Sequence, residues 1–399
     1  MSNTFFFLIG RTPELSVQEI QALVPTELTR VTDELVSVEL EDDETAIRLF
    51  YQLGGSLKVM KQVGRFHLLD EETLLDYITA YLAQFPKPTF GIAELNRNNI
   101  AKIEPQFIKN RLKVRNVPSR FIEGSRTGLG AAVLTHQNLI ELNVIRIDED
   151  TLFTHTLASQ DIDDWTLRDR SKPYSDRKKG MLPPKLARAM VNIARGNWQK
   201  IEKNKEKVVK STKPVLYDPF CGSGTVLLEG LMLDLAVVGS DLDKDAVFGT
   251  QSNLDWFART YKKNEEGPVV RQGNAFFSDA TQASVDLLGS KVDLIVTEPF
   301  LGKPSPQEAQ MPNIFKGLEK LYWGTFRQWT KILQEDAVIV MVFPYVEFGK
   351  HAYSLESLID KLKDLGYTPL SEPIMYARPL AVVQRQVWQF VFHKQVNSR

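Results

Sequence analysis

The chain has 399 residues, 43% apolar, 25% charged and 10% aromatic, with a formal net charge of −1. That length calls for two or three domains, and that composition excludes a disordered, collagenous or low-complexity protein. No apolar run is long enough for a membrane span, the 5–9 stretch is too short and lacks the basic flank of a signal sequence, and a lone Cys221 excludes an internal disulfide, so a cytoplasmic setting is expected.

Residues 1–60 form a first region, with strand patterns at 5–10 and 30–40 and helical periods at 16–24 and 44–53. A second α/β region, 61–162, carries helical periods at 71–84 and 104–114 and strand patterns at 89–94, 131–134, 141–147 and 152–158. Residues 163–181 read as a linker. The third region, 182–399, alternates strands (215–217, 237–241, 269–272, 292–297, 337–343) with helical patterns, the order expected of a doubly wound, mostly parallel sheet. Two strand-like runs at 373–377 and 382–392, joined by a short Arg-Pro turn, predict a terminal antiparallel pair. The fold class is therefore α/β, with an α+β module ahead of it.

The densest signal is Asp218-Pro219-Phe220-Cys221-Gly222-Ser223-Gly224-Thr225, which follows an apolar strand and opens an apolar helix. A strand ending in acid, a turn through two glycines and a helix N-terminus together form a corner for anions and nucleosides. Asp241, at the end of the next strand, is placed to bind a ribose diol. The spacing fits neither a P-loop nor G-x-G-x-x-G. A nucleophilic Cys221 has no base nearby in sequence.

The octapeptide with its second acidic strand end resembles motif I of class I S-adenosylmethionine-dependent methyltransferases, in the branch that modifies RNA bases or exocyclic amines. Three further stretches resemble the THUMP-domain tRNA guanosine N2-methyltransferases. These are Gly10-Arg11-Thr12-Pro13-Glu14-Leu15-Ser16, the run from Thr154 to Asp161, and Arg168-Asp169-Arg170-Ser171-Lys172-Pro173-Tyr174 with the following Gly180 to Ala187. The resemblance implies a ferredoxin-like domain at 1–60, a THUMP-like RNA-binding domain at 61–162 and a Rossmann-like methyltransferase domain at 182–399. It implies S-adenosylmethionine as cofactor and tRNA as partner, with guanine 10 the usual target. It also allows a small activating partner protein, in a chain that is monomeric or weakly oligomeric.

On the same resemblance Asp218 would meet the methionine amino group, and Gly222 and Gly224 would let the ligand approach. Asp241 would take the ribose hydroxyls, Leu242 would pack on adenine and Asn274 would pair with the adenine edge. Phe220, Thr225 and Thr297 complete the cofactor set. The family's D-P-P-Y motif is replaced here by Glu298-Pro299-Phe300-Leu301. Glu298 and the Pro299 carbonyl would accept the amine protons while Phe300 stacks on the base; a longer acid that has lost catalysis is the alternative. The chain would then be an RNA-binding protein that keeps the fold, and an enzyme acting on another acceptor base is a further alternative.

Positive charge is concentrated in two stretches. Residues 102–126 hold seven basic and two acidic residues, and 168–188 hold eight basic and two acidic. Such clusters can grip a polyanion despite the neutral total. Lys109, Arg111, Lys113, Arg115, Arg168, Arg170, Arg177, Lys178, Lys179 and Lys185 are the candidate RNA contacts. The five histidines lack metal-ligand spacing, so no metal is expected.

Overall fold

The structure, a computed structural model, describes residues 3–95, 103–124, 128–130, 133–134, 139–176, 181–205, 213–261, 273–303, 305–377 and 381–395. The chain divides into two compact units: one takes residues up to Pro13 with Val24–Asp164, the other Glu14–Leu23 with Trp165–Arg399.

The first unit is built on β1 (Asn3–Ile9), a run so apolar that both faces must be covered, and Phe5 to Ile9 are all buried. It is flanked by β2 (Thr29–Thr32) with β3 (Leu35–Leu40) and by β4 (Ser56–His67); the remaining strands are β5 (Thr89–Leu95), β6 (Arg120–Phe121), β7 (Ile140–Ile147) and β8 (Asp150–Ser159). Their order, among the described residues, is β2-β3-β1-β4-β8-β7-β5-β6 in one sheet. The boundary expected at residue 60 therefore falls inside β4, and a single sheet spans both segments. The strand expected at 30–40 is a hairpin, broken at Asp33 and Glu34. Of the strand expected at 131–134, the first two residues lie outside the described ones and the last two are helical.

Helix α1 (Pro13–Leu23) groups with the second unit, whereas α2 (Asp43–Gln52), α3 (Glu71–Leu82) and α4 (Pro105–Val114) cover the first. Asp42 and Asp70 cap α2 and α3 by accepting the backbone N–H of Thr45 (2.7 Å) and Thr73 (2.9 Å). Inside the sheet the ammonium of Lys58 on β4 meets both oxygens of buried Glu141 on β7, at 2.9 and 2.6 Å, and Thr156 of β8 donates to the same carboxylate at 2.5 Å.

The second unit begins with α5 (Ile162–Arg170), which crosses the unit boundary, and α6 (Pro184–Lys203). It continues as β9 (Val215–Asp218), α7 (Thr225–Met232), β10 (Ala236–Asp241), α8 (Lys244–Thr260), β11 (Asn274–Phe277), α9 (Val285–Leu288) and β12 (Val292–Thr297). Then follow α10 (Met311–Trp329), β13 (Leu333–Phe348), β14 (His351–Tyr353), α11 (Glu356–Lys363), β15 (Tyr367–Pro369), β16 (Ile374–Tyr376) and β17 (Val383–Phe392).

The main path of this sheet is β11-β10-β9-β12-β13-β17-β15, with β11 to β13 parallel and β17 antiparallel to β13. The terminal antiparallel element of the sequence reading is present as β16 and β17, which pair Ile374 with Val387. The strand expected at 269–272 lies outside the described residues; the third parallel strand occupies 274–277.

Strand alternation sends Leu216, Leu294 and Val338 into one core layer with α6, α7 and α8, and Tyr217, Ile295 and Ile339 into the opposite layer with α10 and α11. Phe326 and Trp329 are fully buried in that second layer, with Trp323 packed partly buried against it.

One carboxylate ties α5 and α6 to α7. Glu229 lies 2.8 Å from the Arg168 guanidinium and 2.5 Å from that of Arg188, all three side chains at most 3% exposed. Buried charges of this kind are costly to separate. Glu229→Ala is expected to lower unfolding free energy by about 3 kcal/mol or more, measured by urea denaturation; a loss under about 1 kcal/mol would show that the charges rehydrate instead.

Candidate active site

Parallel strands expose their C-terminal ends on one edge, and ligands bind where the strand order reverses. Here the reversal lies at β9, with β10 on one side and β12 on the other. A cleft of about 470 Å³ opens at that point, within the range of small-molecule sites. Asp218, Asp241 and Glu298 all line it.

Asp218 is buried. Its Oδ1 accepts from the Thr297 hydroxyl at 2.6 Å and from the Phe220 N–H at 3.1 Å. Burial pushes its carboxyl up to about 7; those two hydrogen bonds oppose the rise, and Asp241 and Glu298 add to it. Asp241 is satisfied by backbone: Gly222 N–H reaches Oδ2 and Asp243 N–H reaches Oδ1, both at 2.9 Å. Each oxygen retains a further lone pair toward the cleft.

The loop between β9 and α7 requires its glycines. Gly222 and Gly224 have φ of +52° and +75°, and a Cβ on Gly224 would meet Thr250 Cγ2 at 2.8 Å. Thr250 in turn donates to the Gly222 carbonyl at 2.7 Å, so α8 fixes the turn. Buried Cys221 has its thiol pushed well above its ordinary range by burial, with Asp218 and Asp241 adding to the rise, which disfavours the thiolate.

After β12 the chain presents Glu298, Pro299 and Phe300 to the cleft. Glu298 is held by Arg385 of β17 through two parallel bonds, Nε to Oε2 at 2.7 Å and a terminal nitrogen to Oε1 at 2.9 Å. Tyr322 of α10 donates to the Phe300 carbonyl at 2.9 Å, which sets the loop and leaves the Phe300 ring 61% exposed. Leu242 is likewise 65% exposed, an uncovered apolar surface at the same cleft.

Of the residues expected from sequence, Asp218, Phe220, Gly222, Thr225, Asp241, Leu242, Glu298, Pro299 and Phe300 line the cleft. Gly224 is the N-cap of α7, and Thr297 is fully buried behind Asp218. Asn274 is different: it begins β11 instead of following the third strand, so it sits away from the carboxyl edge. Asp279 lines the cleft in its place, with its Oδ1 accepting from the Thr281 N–H and hydroxyl, both at 2.8 Å. The acidic strand endings of β9 and β10 were the signal that could have found it. Arg385 carried a weaker signal, the one charged residue of its strand. Met181, Leu182 and Leu321 also line the cleft.

The expected RNA contacts separate. Lys113, Arg115 and Arg170 are exposed, while Lys109 is half-buried. Arg111 is paired with Glu72 and Asp76. Arg168 is 2% exposed and engaged by Glu229, so it is no surface contact. Half-buried Lys185 lies 5.8 Å from the Trp165 ring. Arg177, Lys178 and Lys179 lie outside the described residues. Glu335, Asp336 and His393 cluster far along the chain, but Lys205 already pairs with Asp336 at 2.9 Å.

Residues 173–360 match the RMKL-like methyltransferase domain family, UPF0020. A tRNA (guanine(10)-N2)-dimethyltransferase of Methanothermobacter thermautotrophicus is 34% identical over 182 residues, 46% of this chain and 42% of that protein. A "Probable tRNA (guanine(10)-N2)-dimethyltransferase" of Methanothermococcus thermolithotrophicus is 34% identical over 134 residues, 34% of this chain and 70% of the relative. The chain belongs to the methyltransferase family of these relatives. It spans less than half the length of the first of them. The crystal structure of TrmN from Thermus thermophilus has the same overall fold, with a TM-score of 0.53 at 16% identity over 98% of this chain and 99% of that one.

Asp218 gives the fold a pH signature. Its folded-state pKa of about 7 lies above the ordinary 3.8, so the folded protein retains a proton that the unfolded chain releases. Its contribution to stability is greatest below pH 4 and falls as pH rises toward 7, after which it is constant. Asp218→Asn keeps an acceptor for Thr297 and removes the titration. The variant's unfolding free energy relative to the parent is expected to be higher at pH 8 than at pH 5; an equal difference at both would contradict the assignment.

Proposed function

We propose that the chain transfers a methyl group from S-adenosylmethionine to the exocyclic N2 of a guanine in tRNA, at position 10. Membership in a family whose relatives carry that name supports the reading. The observation that carries it is the convergence of Asp218, Asp241 and Glu298 on one cleft beside exposed Leu242 and Phe300.

The cleft residues fit the cofactor. The left-handed glycine turn admits close approach, Asp218 offers a carboxylate for an ammonium, and Asp241 retains acceptor capacity for a diol. Leu242 offers an apolar face for a purine, with Asp279 beside it to accept from an exocyclic amine. When bound, S-adenosylmethionine supplies a methyl group on a sulfonium, open to in-line displacement.

The chain's own residues then orient the acceptor. An aryl amine nitrogen is a poor nucleophile while its lone pair is delocalised into the ring. Acceptors that hold both N–H bonds turn the lone pair out toward the methyl group. Glu298 accepts one bond and the Pro299 carbonyl the other, while Phe300 offers a ring face to a base extruded from its stack. Arg385 holds Glu298 in position but leaves lone pairs for the amine. As the N–CH3 bond forms and the S–CH3 bond breaks, S-adenosylhomocysteine would leave and Glu298 would accept the proton that the amine loses; no covalent enzyme intermediate is needed.

In this reading the first unit comprises the ferredoxin-like and THUMP-like segments and grips the tRNA by phosphate and shape contacts. Exposed Lys113 and Arg115 on and after α4 supply positive charge for it. Among the described residues no helix is long and apolar enough to cross a membrane. The site of action is the cytoplasm.

The test is transfer of labelled methyl to unmodified tRNA, followed by nucleoside analysis. N2-methylated guanosine is expected, and Glu298→Ala should lower the rate by about 100-fold or more without altering tRNA affinity. A wild-type chain that binds both tRNA and cofactor without transfer would instead be a binding protein, and methyl found on another base would change the acceptor.

A further inference from the structure

Lys172 is 5% exposed, yet among the described residues its partners are hydroxyls and not a carboxylate. Its ammonium donates to Thr225 Oγ1 at 2.8 Å and to Ser223 Oγ at 3.2 Å. Both hydroxyls belong to residues that line the cleft at the N-terminus of α7. A buried cation beside a helix N-terminus has the wrong sign for the helix dipole. Burial pushes this ammonium down to about 8, with Asp169 and Glu229 opposing the shift. Two positive features thus share a dry corner, an arrangement that an anion in the cleft would offset.

The segment carrying Lys172 is held in place. Asn253 of α8 accepts the Tyr174 N–H at 2.8 Å, and its amide donates to the Tyr174 and Ser223 carbonyls at 2.9 and 2.8 Å. The Tyr174 ring occupies the space above Gly249, where a Cβ would meet ring carbons at 2.2 Å. The lysine and the glycine loop are therefore fixed against one another by the same side chain.

A lysine ammonium only donates. A hydroxyl that accepts from it must turn its own hydrogen elsewhere. The Ser223 and Thr225 oxygens are 3.4 Å apart, too long for a strong hydrogen bond to one another, and both residues line the cleft. We infer that Lys172 is a positioning residue for the carboxylate of the cofactor's amino-acid end, acting by aiming the Ser223 and Thr225 hydroxyls at that anion. The inference rests on the proposed use of S-adenosylmethionine. It gives each end of the amino acid a separate partner: Asp218 for the ammonium, and α7 with the two hydroxyls for the carboxylate.

Two nucleoside thioethers separate this role from a structural one. S-adenosylhomocysteine carries the amino-acid carboxylate; 5′-methylthioadenosine keeps the purine, ribose and sulfur without it. Binding of both to the full chain is measured by calorimetry for the parent, Lys172→Met and Thr225→Val. Each variant is expected to weaken S-adenosylhomocysteine by about tenfold or more while leaving 5′-methylthioadenosine within about twofold. Because the lysine acts through the hydroxyls, the double variant should lose less than the product of the single losses. Equal weakening of both ligands would make Lys172 a structural residue, and unchanged affinity for S-adenosylhomocysteine would overturn the inference outright. If Lys172→Met fails to fold, Thr225→Val decides by the same comparison. A parent chain that binds neither thioether refutes the proposed cofactor itself, a result distinct from either of these.

Discussion

Three carboxylates at the same edge of one sheet repel each other, and the architecture of the site follows from how each is accommodated. Asp218 is buried and takes a hydroxyl from the neighbouring strand. Asp241 is satisfied by backbone N–H groups of the loop after β9 and of the turn that follows it. Glu298 receives a guanidinium from the antiparallel end of the sheet. Hydrogen bonding, local backbone donation and ion pairing are three separate solutions, each drawn from a different element. Together they require β9, β10, β12 and β17 to keep their relative register. Polar satisfaction at the edge and the packing of the two core layers are consequently one constraint.

Much of this was legible before any coordinates. The stretch from Asp218 to Asp241 spans some twenty-five residues, and local chemistry specifies it: acid at the strand end, left-handed glycines, helix N-terminus. What sequence could not show was anything set by long-range pairing. Arg385 is 87 positions from Glu298, and only the antiparallel ladder between β13 and β17 brings that part of the chain back. The misplacement of Asn274 has a local cause. Gly273-Asn274 has the composition of a turn, but the residues that follow pair in parallel with β10, which moves the strand end, and the acid that matters, to Ser278 and Asp279. The hairpin at 29–40 was lost for a similar reason: one exposed Asp-Glu pair inside an alternating run is a turn only because β1 selects β3 as its partner.

The basic stretch from 168 to 188 shows how one composition serves several physical roles. Arg168 and Arg188 share Glu229 and flank the Trp165 ring at 4.3 and 5.3 Å. Lys172 reaches the glycine loop, and Arg170 faces solvent. Charge density alone cannot distinguish these, because a buried guanidinium and one that meets phosphate look the same in a count. Burial does distinguish them: a cation at 2% exposure has already exchanged water for protein and cannot also take a phosphate. The stretch therefore anchors the second unit as much as it charges its surface.

The same reasoning bears on the acid that departs from the family pattern. Glutamate in place of aspartate adds a methylene and one more rotatable bond, which by itself would loosen the carboxylate. A bidentate guanidinium removes that freedom, since two parallel bonds fix both the position and the plane of the carboxylate. Arg385 is itself constrained by its place in β17, within a ladder running from Ala337–Phe392 to Val346–Val383. Extra length in the acid is thus matched by a rigid partner on β17. The exposed Phe300 follows from the same loop, whose carbonyl is held by Tyr322 so that the ring is left outside the core. The Arg385 guanidinium also lies 5.9 Å from the Tyr376 ring, so this cross-sheet contact joins Glu298 to both β16 and β17.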